Sequence, residues 1–149
     1  MRVLVQRVTH AQVDVGDETT GRIGQGLLLL VGVHDSDTDA ELAWMVRKVT
    51  ALRIFEDEAG KMNLSVKDIG GDVLAVSQFT LYGDCKKGNR PSFNQAGTPA
   101  FASPFFDRFV DAVSTELGRP VPTGRFGEHM KVRLLNAGPV TIWLSTDDS

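Results

Sequence analysis

Apolar and polar positions alternate along several stretches of the chain, which is the pattern of half-buried β-strands. Other stretches are continuous apolar runs of strand length, as expected for strands that are buried on both faces. Together these patterns predict strands over residues 2–8, 11–15, 19–23, 27–33, 53–55 and 73–76. The turn signal Gly16-Asp17 indicates that the second and third of these strands form a hairpin.

The C-terminal region shows the same alternation on both sides of a Gly138-Pro139 dipeptide. Apolar residues alternate with polar ones over residues 130–134, and again over residues 140–145. Because proline has no backbone N–H and Gly-Pro is a frequent turn dipeptide, we expect a tight turn between two separate strands here.

Two helices are predicted between the strands. Thr38, followed three residues later by Glu41, forms a capping-box signature at the start of the first helix. Thr98-Pro99 opens the second helix, with proline at its permitted first position, and Gly118 ends it. Pro104 either kinks this second helix or marks its true start after Ser103. The apolar faces fall at helical spacing, over about residues 39–52 in the first helix and over residues 105–117 in the second.

The predicted elements number roughly seven or eight strands and two helices, which favours the α+β class. We expect mostly antiparallel β-sheets forming a barrel-like or sandwich core, with the two main helices packed on it. A length of 149 residues fits a single domain, residues 1–149, that can bury a core of its own.

One predicted strand ends in an unusual group of polar side chains. After the apolar run of residues 73–76, Ser77, Gln78 and Thr80 surround Phe79. A buried polar group without a partner costs roughly 1–3 kcal/mol, so a purely structural strand has little need of three. Either the strand has one wet face, or its end holds a functional site.

Composition narrows the class of protein. No apolar run approaches the length of about 18 residues that a membrane span needs, so we expect no membrane association. The single cysteine, Cys85, excludes an internal disulfide framework and indicates a reducing, cytoplasmic location. Histidine and cysteine show no zinc-ligand spacing, so we expect no structural metal. The formal net charge of −3 means that a polyanionic partner would need local basic groups, such as Lys86, Lys87 and Arg90.

Two motifs carry a resemblance to a known family. Ser77-Gln78-Phe79-Thr80-Leu81 and Asn136-Ala137-Gly138-Pro139-Val140-Thr141 resemble the signature motifs of D-aminoacyl-tRNA deacylases. The resemblance continues, in the same order along the chain, through Gln6-Arg7-Val8, residues 21–26, 53–55, 60–64 and 90–93, and Gly124-Arg125-Phe126-Gly127 followed by Met130.

The resemblance implies a hydrolase that removes D-amino acids, and glycine wrongly attached, from tRNA by cleaving an ester to the terminal ribose. The neighbouring ribose hydroxyl assists this hydrolysis, so no side-chain nucleophile is needed, and the resemblance implies an enzyme without a metal or cofactor. Ser77, Gln78, Phe79 and Thr80 become the expected catalytic group, with the backbone N–H groups of Phe79 and Thr80 stabilising the oxyanion. The resemblance also makes Lys86, Lys87 and Arg90 the expected tRNA-binding residues.

For Gly138-Pro139 the resemblance implies a cis peptide bond and a homodimer, in which each dipeptide enters the active site of the partner subunit. Backbone without a Cβ at Gly138 can approach the substrate closely, and an L side chain would clash with it. Arg7 is expected to orient the dipeptide, and Met130 and Phe126 are expected to bind substrate. Ala137 departs from the aspartate usual in the family, which leaves the geometry of the dipeptide open.

Other functions fit parts of the sequence. The chain would be a non-catalytic, dimeric tRNA-binding module if it kept the fold and lost turnover. It would be a thiol hydrolase if the neighbouring lysines activated Cys85, although no histidine or acid is linked to this cysteine by a recognisable motif.

Overall fold

The computed structural model of the protein describes residues 1–147. Its strands are β1 (Arg2–Val15), β2 (Glu18–Ile23), β3 (Gly26–Gly32), β4 (Phe55–Glu56), β5 (Met62–Leu64), β6 (Asp72–Ser77) and β7 (Lys131–Ser145). Its α-helices are α1 (Asp39–Ala51) and α2 (Pro99–Leu117), and a short 3₁₀ turn covers Phe79–Tyr82. The expected α+β class is confirmed.

The main sheet has five strands and is mostly antiparallel. Its order is β2-β1-β3-β6, and β7 also pairs with β1 in antiparallel register. The pair formed by β3 and β6 is parallel, and the pleated run of leucines and valines in β3 is almost entirely buried. Strands β4 and β5 form a separate two-stranded hairpin.

The sheet carries a hydrophobic core on each face. The larger core lies between the sheet and the two helices, and Met45 and Phe109 are among its fully buried side chains. The smaller one gathers Val8, Val13 and Leu74 on the other face, with Met130 packed against it.

The helix signals are confirmed, and one open question is answered. Thr38 and Glu41 form both bonds of the capping box at the start of α1. Helix α2 begins at Pro99, runs through Pro104 and ends at Gly118, which has a left-handed φ of 76°. The alternative start after Ser103 is therefore wrong.

Two pairs of predicted strands are single strands in the structure, the predicted strand 53–55 is instead β4 at Phe55–Glu56, and β5 was not predicted. The stretches 2–8 and 11–15 form one strand, β1, and the stretches 130–134 and 140–145 lie in one strand, β7. The expected turn at Gly138-Pro139 is instead a bulge, because Thr141 pairs with Gln6 while Asn136 pairs with Val8. Residues 137–140 thus stand opposite the single residue Arg7. Pairing with β1 on both sides of the dipeptide overrides its local tendency to end a strand.

Within residues 1–147, no helix is long and apolar enough to cross a membrane.

Candidate functional site

The polar group at the end of β6 is held in place by the parallel partner strand. Ser77 lies opposite Val31 of β3, and the backbone N–H of Gln78 donates to the Val31 carbonyl at 2.8 Å. Strand β3 ends one residue later, so β6 loses its partner and the chain turns into the 3₁₀ segment Phe79–Tyr82. The site is therefore built on the end of a buried, rigid strand.

Two recesses are lined by predicted site residues, and the end of β6 borders the larger of them. The recess has a volume of about 580 Å³. Ser77, Gln78 and Phe79 line one wall, and Phe126 and Met130 line another. An ion pair of 2.6 Å between Arg125 and Glu18 fastens the segment that carries Phe126 to strand β2. The structure thus brings five of the predicted site residues together.

Two backbone N–H groups in the turn that follows β6 have no acceptor within the described residues. Within residues 1–147, no hydrogen bond is formed by the N–H of Phe79 or of Thr80, whereas Gln78 and Leu81 on either side both donate. The side-chain amide of Gln78 bonds the Thr80 hydroxyl across the turn. Thr80 is exposed and its side chain does not line the recess, so its contribution is confined to its backbone and to Gln78.

The Gly138-Pro139 dipeptide is held from both sides. The peptide bond is cis, as expected, and the φ of Gly138 is +133°, a value that L side chains rarely adopt. Arg7 donates from Nε to the Ala137 carbonyl and from Nη1 to the Ile54 carbonyl, both at 2.8 Å. Asn136 closes the bulge, because its Oδ1 accepts from the Val140 N–H at 2.8 Å and its Nδ2 donates to the Thr141 hydroxyl at 2.9 Å.

The absent aspartate at position 137 leaves these contacts intact. Ala137 contributes only its carbonyl, which any residue would supply, and the side-chain bonds across the bulge come from Asn136. None of these hydrogen bonds uses the side chain of residue 137.

Within one chain, the dipeptide and the strand end do not share a recess. Arg7 and Ala137 line a smaller one of about 240 Å³, and neither Gly138 nor Pro139 lines the larger one. Strand β7, which carries the dipeptide, also exposes two large apolar side chains, Leu135 at 54% and Trp143 at 44%.

The predicted basic residues lie on an exposed loop beside the recess. Asp84 and Ser92 exchange two backbone hydrogen bonds, of 2.8 and 2.9 Å, which pinch the loop into a hairpin. Lys86, Lys87 and Arg90 are all exposed at its tip. Phe93 follows the hairpin, lines the recess and packs edge-on against Phe79, with ring centroids 5.1 Å apart.

Cys85 is exposed on the same loop and does not line the recess. No histidine or carboxylate is hydrogen-bonded to it within the described residues, so nothing there prepares it as a nucleophile. In the same part of the chain, no group of three or more histidine, cysteine, aspartate or glutamate side chains is close enough to hold a metal ion.

The sequence prediction missed several lining residues. Phe93, Thr98 and His129 reach the recess from the loop, from the start of α2 and from the segment before β7. Phe93 had a signal, because it belongs to the stretch of residues 90–93 that resembles the family. Thr98 and His129 had none, since only the three-dimensional fold brings their segments to the end of β6.

Comparison with known proteins places this arrangement in a family. A model of the family described as D-Tyr-tRNA(Tyr) deacylase matches residues 4–145. The D-aminoacyl-tRNA deacylase of Chromobacterium violaceum is 57% identical over 146 residues, which cover 98% of this chain and 97% of that protein. The deacylase of Thermotoga petrophila is 55% identical over the same length, covering 98% and 97% of the two chains.

Solved structures agree with the sequence comparison. A structure titled c-Myc DNA Unwinding Element Binding Protein is 42% identical, with a TM-score of 0.91, and the match covers 99% of this chain and all of that one. A probable eukaryotic D-amino acid tRNA deacylase shares the fold at 22% identity, with a TM-score of 0.84 and coverage of 96% and 97%. From the family match and these relatives, the chain belongs to the D-Tyr-tRNA(Tyr) deacylase family.

Proposed function

We propose that this protein hydrolyses the ester bond of D-aminoacyl-tRNA and releases free tRNA and the D-amino acid. The observation that carries the proposal is the pair of N–H groups at Phe79 and Thr80. They have no acceptor within the described residues and lie at the end of a buried strand, beside a recess. An enzyme that stabilises an oxyanion needs such fixed donors, since they need no reorganisation when charge develops.

The chemistry is shared between the protein and its RNA substrate. Water attacks the ester carbonyl, assisted by the neighbouring ribose hydroxyl, and the negative charge develops on the carbonyl oxygen. The N–H groups of Phe79 and Thr80 donate to that oxygen. As the intermediate collapses, the bond to the ribose oxygen breaks, and that oxygen takes up the proton that the attacking water has lost. Removing one donor of this kind costs about 10²–10³ in kcat in a well-studied hydrolase, so a pair of backbone donors supplies much of the rate.

Ser77 and Gln78 serve this reaction by holding the donors and the terminal adenosine. Ser77 lies in the strand register opposite Val31, and Gln78 is tied through both its backbone and its side chain. Phe126 and Met130 form the opposite wall, which gives the substrate an apolar surface to pack on. Positioning of this kind contributes to the rate by fixing the reacting groups at close distance.

The discriminating element comes from a second copy of the chain. In the proposed homodimer, the exposed β7 residues Leu135 and Trp143 lie in the interface, and each Gly138-Pro139 enters the recess of the partner. This accounts for the separation of the dipeptide from the strand end within one chain. An active sample with the sedimentation mass of a single chain would contradict the arrangement.

Selection among substrates follows from rejection of the L configuration. Arg7 and Asn136 hold the backbone around Gly138 rigid, and Gly138 presents no side chain. The carbonyls of the dipeptide accept from the α-ammonium group of the substrate, so an L side chain would point into the dipeptide. D-amino acids and glycine fit, and glycyl-tRNA is therefore a second substrate.

The tRNA is held by Lys86, Lys87 and Arg90, whose exposed loop lies beside the recess. Local basic groups are needed because the chain carries a net charge of −3. The tRNA substrate and the free, exposed thiol of Cys85 fit a cytoplasmic location.

Turnover separates this function from the alternatives. Purified protein at one hundredth of the concentration of D-tyrosyl-tRNA should release all of the tyrosine, whereas a binding module would release none above the buffer rate. Cys85→Ala should deacylate within about threefold of the wild type, a difference of less than ~1 kcal/mol in transition-state stabilisation. A hundredfold loss in Cys85→Ala would instead support the thiol hydrolase.

A further inference from the structure

Arg2 lies directly behind the turn that carries the two free N–H groups. Its Nη1 donates to the carbonyl of Leu81, the third residue of the turn, at 3.0 Å. Its guanidinium carbon lies 4.3 Å from the centre of the Tyr82 ring and 5.8 Å from that of Trp143. Nε of Arg2 is buried and has no acceptor within residues 1–147, so its position depends on these contacts and on an ion pair of 3.3 Å with Asp147.

Tyr82 anchors the end of the same turn to the sheet. Its side chain is 1% exposed, and its ring lies over Gly32, where an added Cβ would be 3.2 Å from Cδ2 and Cε2. Gly32 is the partner of Arg2 in the pairing of β1 with β3. The Tyr82 ring therefore occupies the space that a missing side chain leaves beside Arg2. Burial raises the pKa of the Tyr82 hydroxyl, which keeps the ring uncharged beneath the guanidinium.

The turn is thus fastened at its two ends. At the first end, the N–H of Gln78 donates to Val31 of β3. At the second end, Arg2 binds the Leu81 carbonyl and covers the Tyr82 ring. Phe79 and Thr80 lie between these two attachments, and their N–H groups have no bond of their own to keep them in place. We propose that Arg2 is a positioning residue, which fixes the direction of the Phe79 and Thr80 N–H groups by holding Leu81 and Tyr82 from behind.

The inference rests on the proposed deacylation, and it concerns the rate of the chemical step alone. Arg2 lines no part of the recess, so its loss leaves substrate affinity as it was. The guanidinium is suited to the place because a planar, delocalised cation can stack on an aromatic face while one of its N–H groups binds a carbonyl. A lysine ammonium can make the hydrogen bond without the stacking.

The experiment measures the single-turnover deacylation of D-tyrosyl-tRNA by excess enzyme, together with the Kd for the same tRNA. Arg2→Met should lower the single-turnover rate about tenfold at a Kd within about twofold of the wild type, because positioning acts on the transition state. Arg2→Lys should recover about half of that loss on a logarithmic scale, since it restores the bond and not the stacking. Arg22→Met removes a β2 arginine that bonds Gln12 and does not line the recess, and it should retain the wild-type rate.

A second readout does not depend on turnover. In ¹H–¹⁵N spectra, Arg2→Met should shift the amide resonances of Phe79 and Thr80, while Arg22→Met leaves them in place. Arg2→Met with a wild-type rate and unshifted amides would overturn the inference, and so would a rate loss matched by an equal loss of tRNA affinity. An inactive wild type would refute the proposed function instead, and the amide shifts would still test the role of Arg2.

Discussion

At the scale of single residues, Gly138 combines a left-handed backbone with a close neighbouring side chain. Its φ of +133° excludes most side chains, and a Cβ there would lie 2.7 Å from Nη2 of Arg7. Arg7 cannot simply swing away, because its other two guanidinium nitrogens bind the Ala137 and Ile54 carbonyls. A side chain at position 138 would therefore disturb the very residue that orients the dipeptide.

Gly138→Ala should lower D-aminoacyl-tRNA hydrolysis by about a hundredfold or more, while backbone strain at this position reduces the free energy of unfolding by only about 1–3 kcal/mol. The loss of activity comes from a displaced Arg7 and from a methyl group in the space that the substrate needs. Single-turnover kinetics and denaturant unfolding measure the two effects separately.

Gly16→Ala is the matched control for this variant. Gly16 also has a positive φ, of +57°, but it lies in the turn between β1 and β2 and an added Cβ would meet no atom within 4 Å. It should lose stability from the same kind of backbone strain and keep the wild-type rate. If both variants lose activity in proportion to stability, Gly138 has no special part in the reaction.

The residue scale also marks a limit of sequence reasoning. The polar character of Ser77, Gln78 and Thr80 predicts a site at the end of a strand, but not that Thr80 is absent from the lining of the recess. Likewise, only the structure shows that the side-chain bonds across the bulge come from Asn136. Side-chain direction in a turn depends on contacts that are distant in sequence.

At the scale of elements, local signals predicted the helices well. The capping box at Thr38 and Glu41, and the glycine at 118, act within a few residues, so their effect can be seen in the sequence. The length of β7 could not be predicted in this way. Gly138-Pro139 would end an isolated strand, and only pairing with β1 on both sides of the bulge keeps β7 in one piece.

The loop between Asp84 and Ser92 should contribute to tRNA binding through charge alone. Replacing Lys86 and Lys87 with alanine should weaken binding and make the slope of log K against log salt shallower by about 1.5, since each phosphate contact contributes about 0.7–0.9. The measurement is a titration of labelled tRNA at several salt concentrations.

Substitution of Lys61 and Lys67 provides the comparison, because it removes the same amount of charge from exposed positions outside the loop. Their double alanine variant should keep the wild-type salt slope. An unchanged slope in the Lys86 and Lys87 variant, or an equal change in both, would mean that the loop does not face the RNA.

At the scale of the whole molecule, the recess at the end of β6 and the Gly138-Pro139 bulge lie apart within one chain. The proposed oxyanion donors lie in the turn after β6, and the dipeptide proposed to select the substrate lies in the bulge of β7, the strand that also exposes Leu135 and Trp143. A two-fold axis beside β7 would give each recess the dipeptide of the other chain. Catalysis and chiral selection would then depend on the same interface.

The most direct test compares the deacylation of D-tyrosyl-tRNA and L-tyrosyl-tRNA, matched in tRNA and concentration, by the purified protein. Rejection of the L side chain by a rigid backbone should favour the D ester by at least about a thousandfold in kcat/KM, equivalent to ~4 kcal/mol. Glycyl-tRNA should be hydrolysed as well, because it has no side chain to reject. Equal rates on the two tyrosyl esters, or hydrolysis of neither, would contradict chiral selection by the Gly138-Pro139 dipeptide.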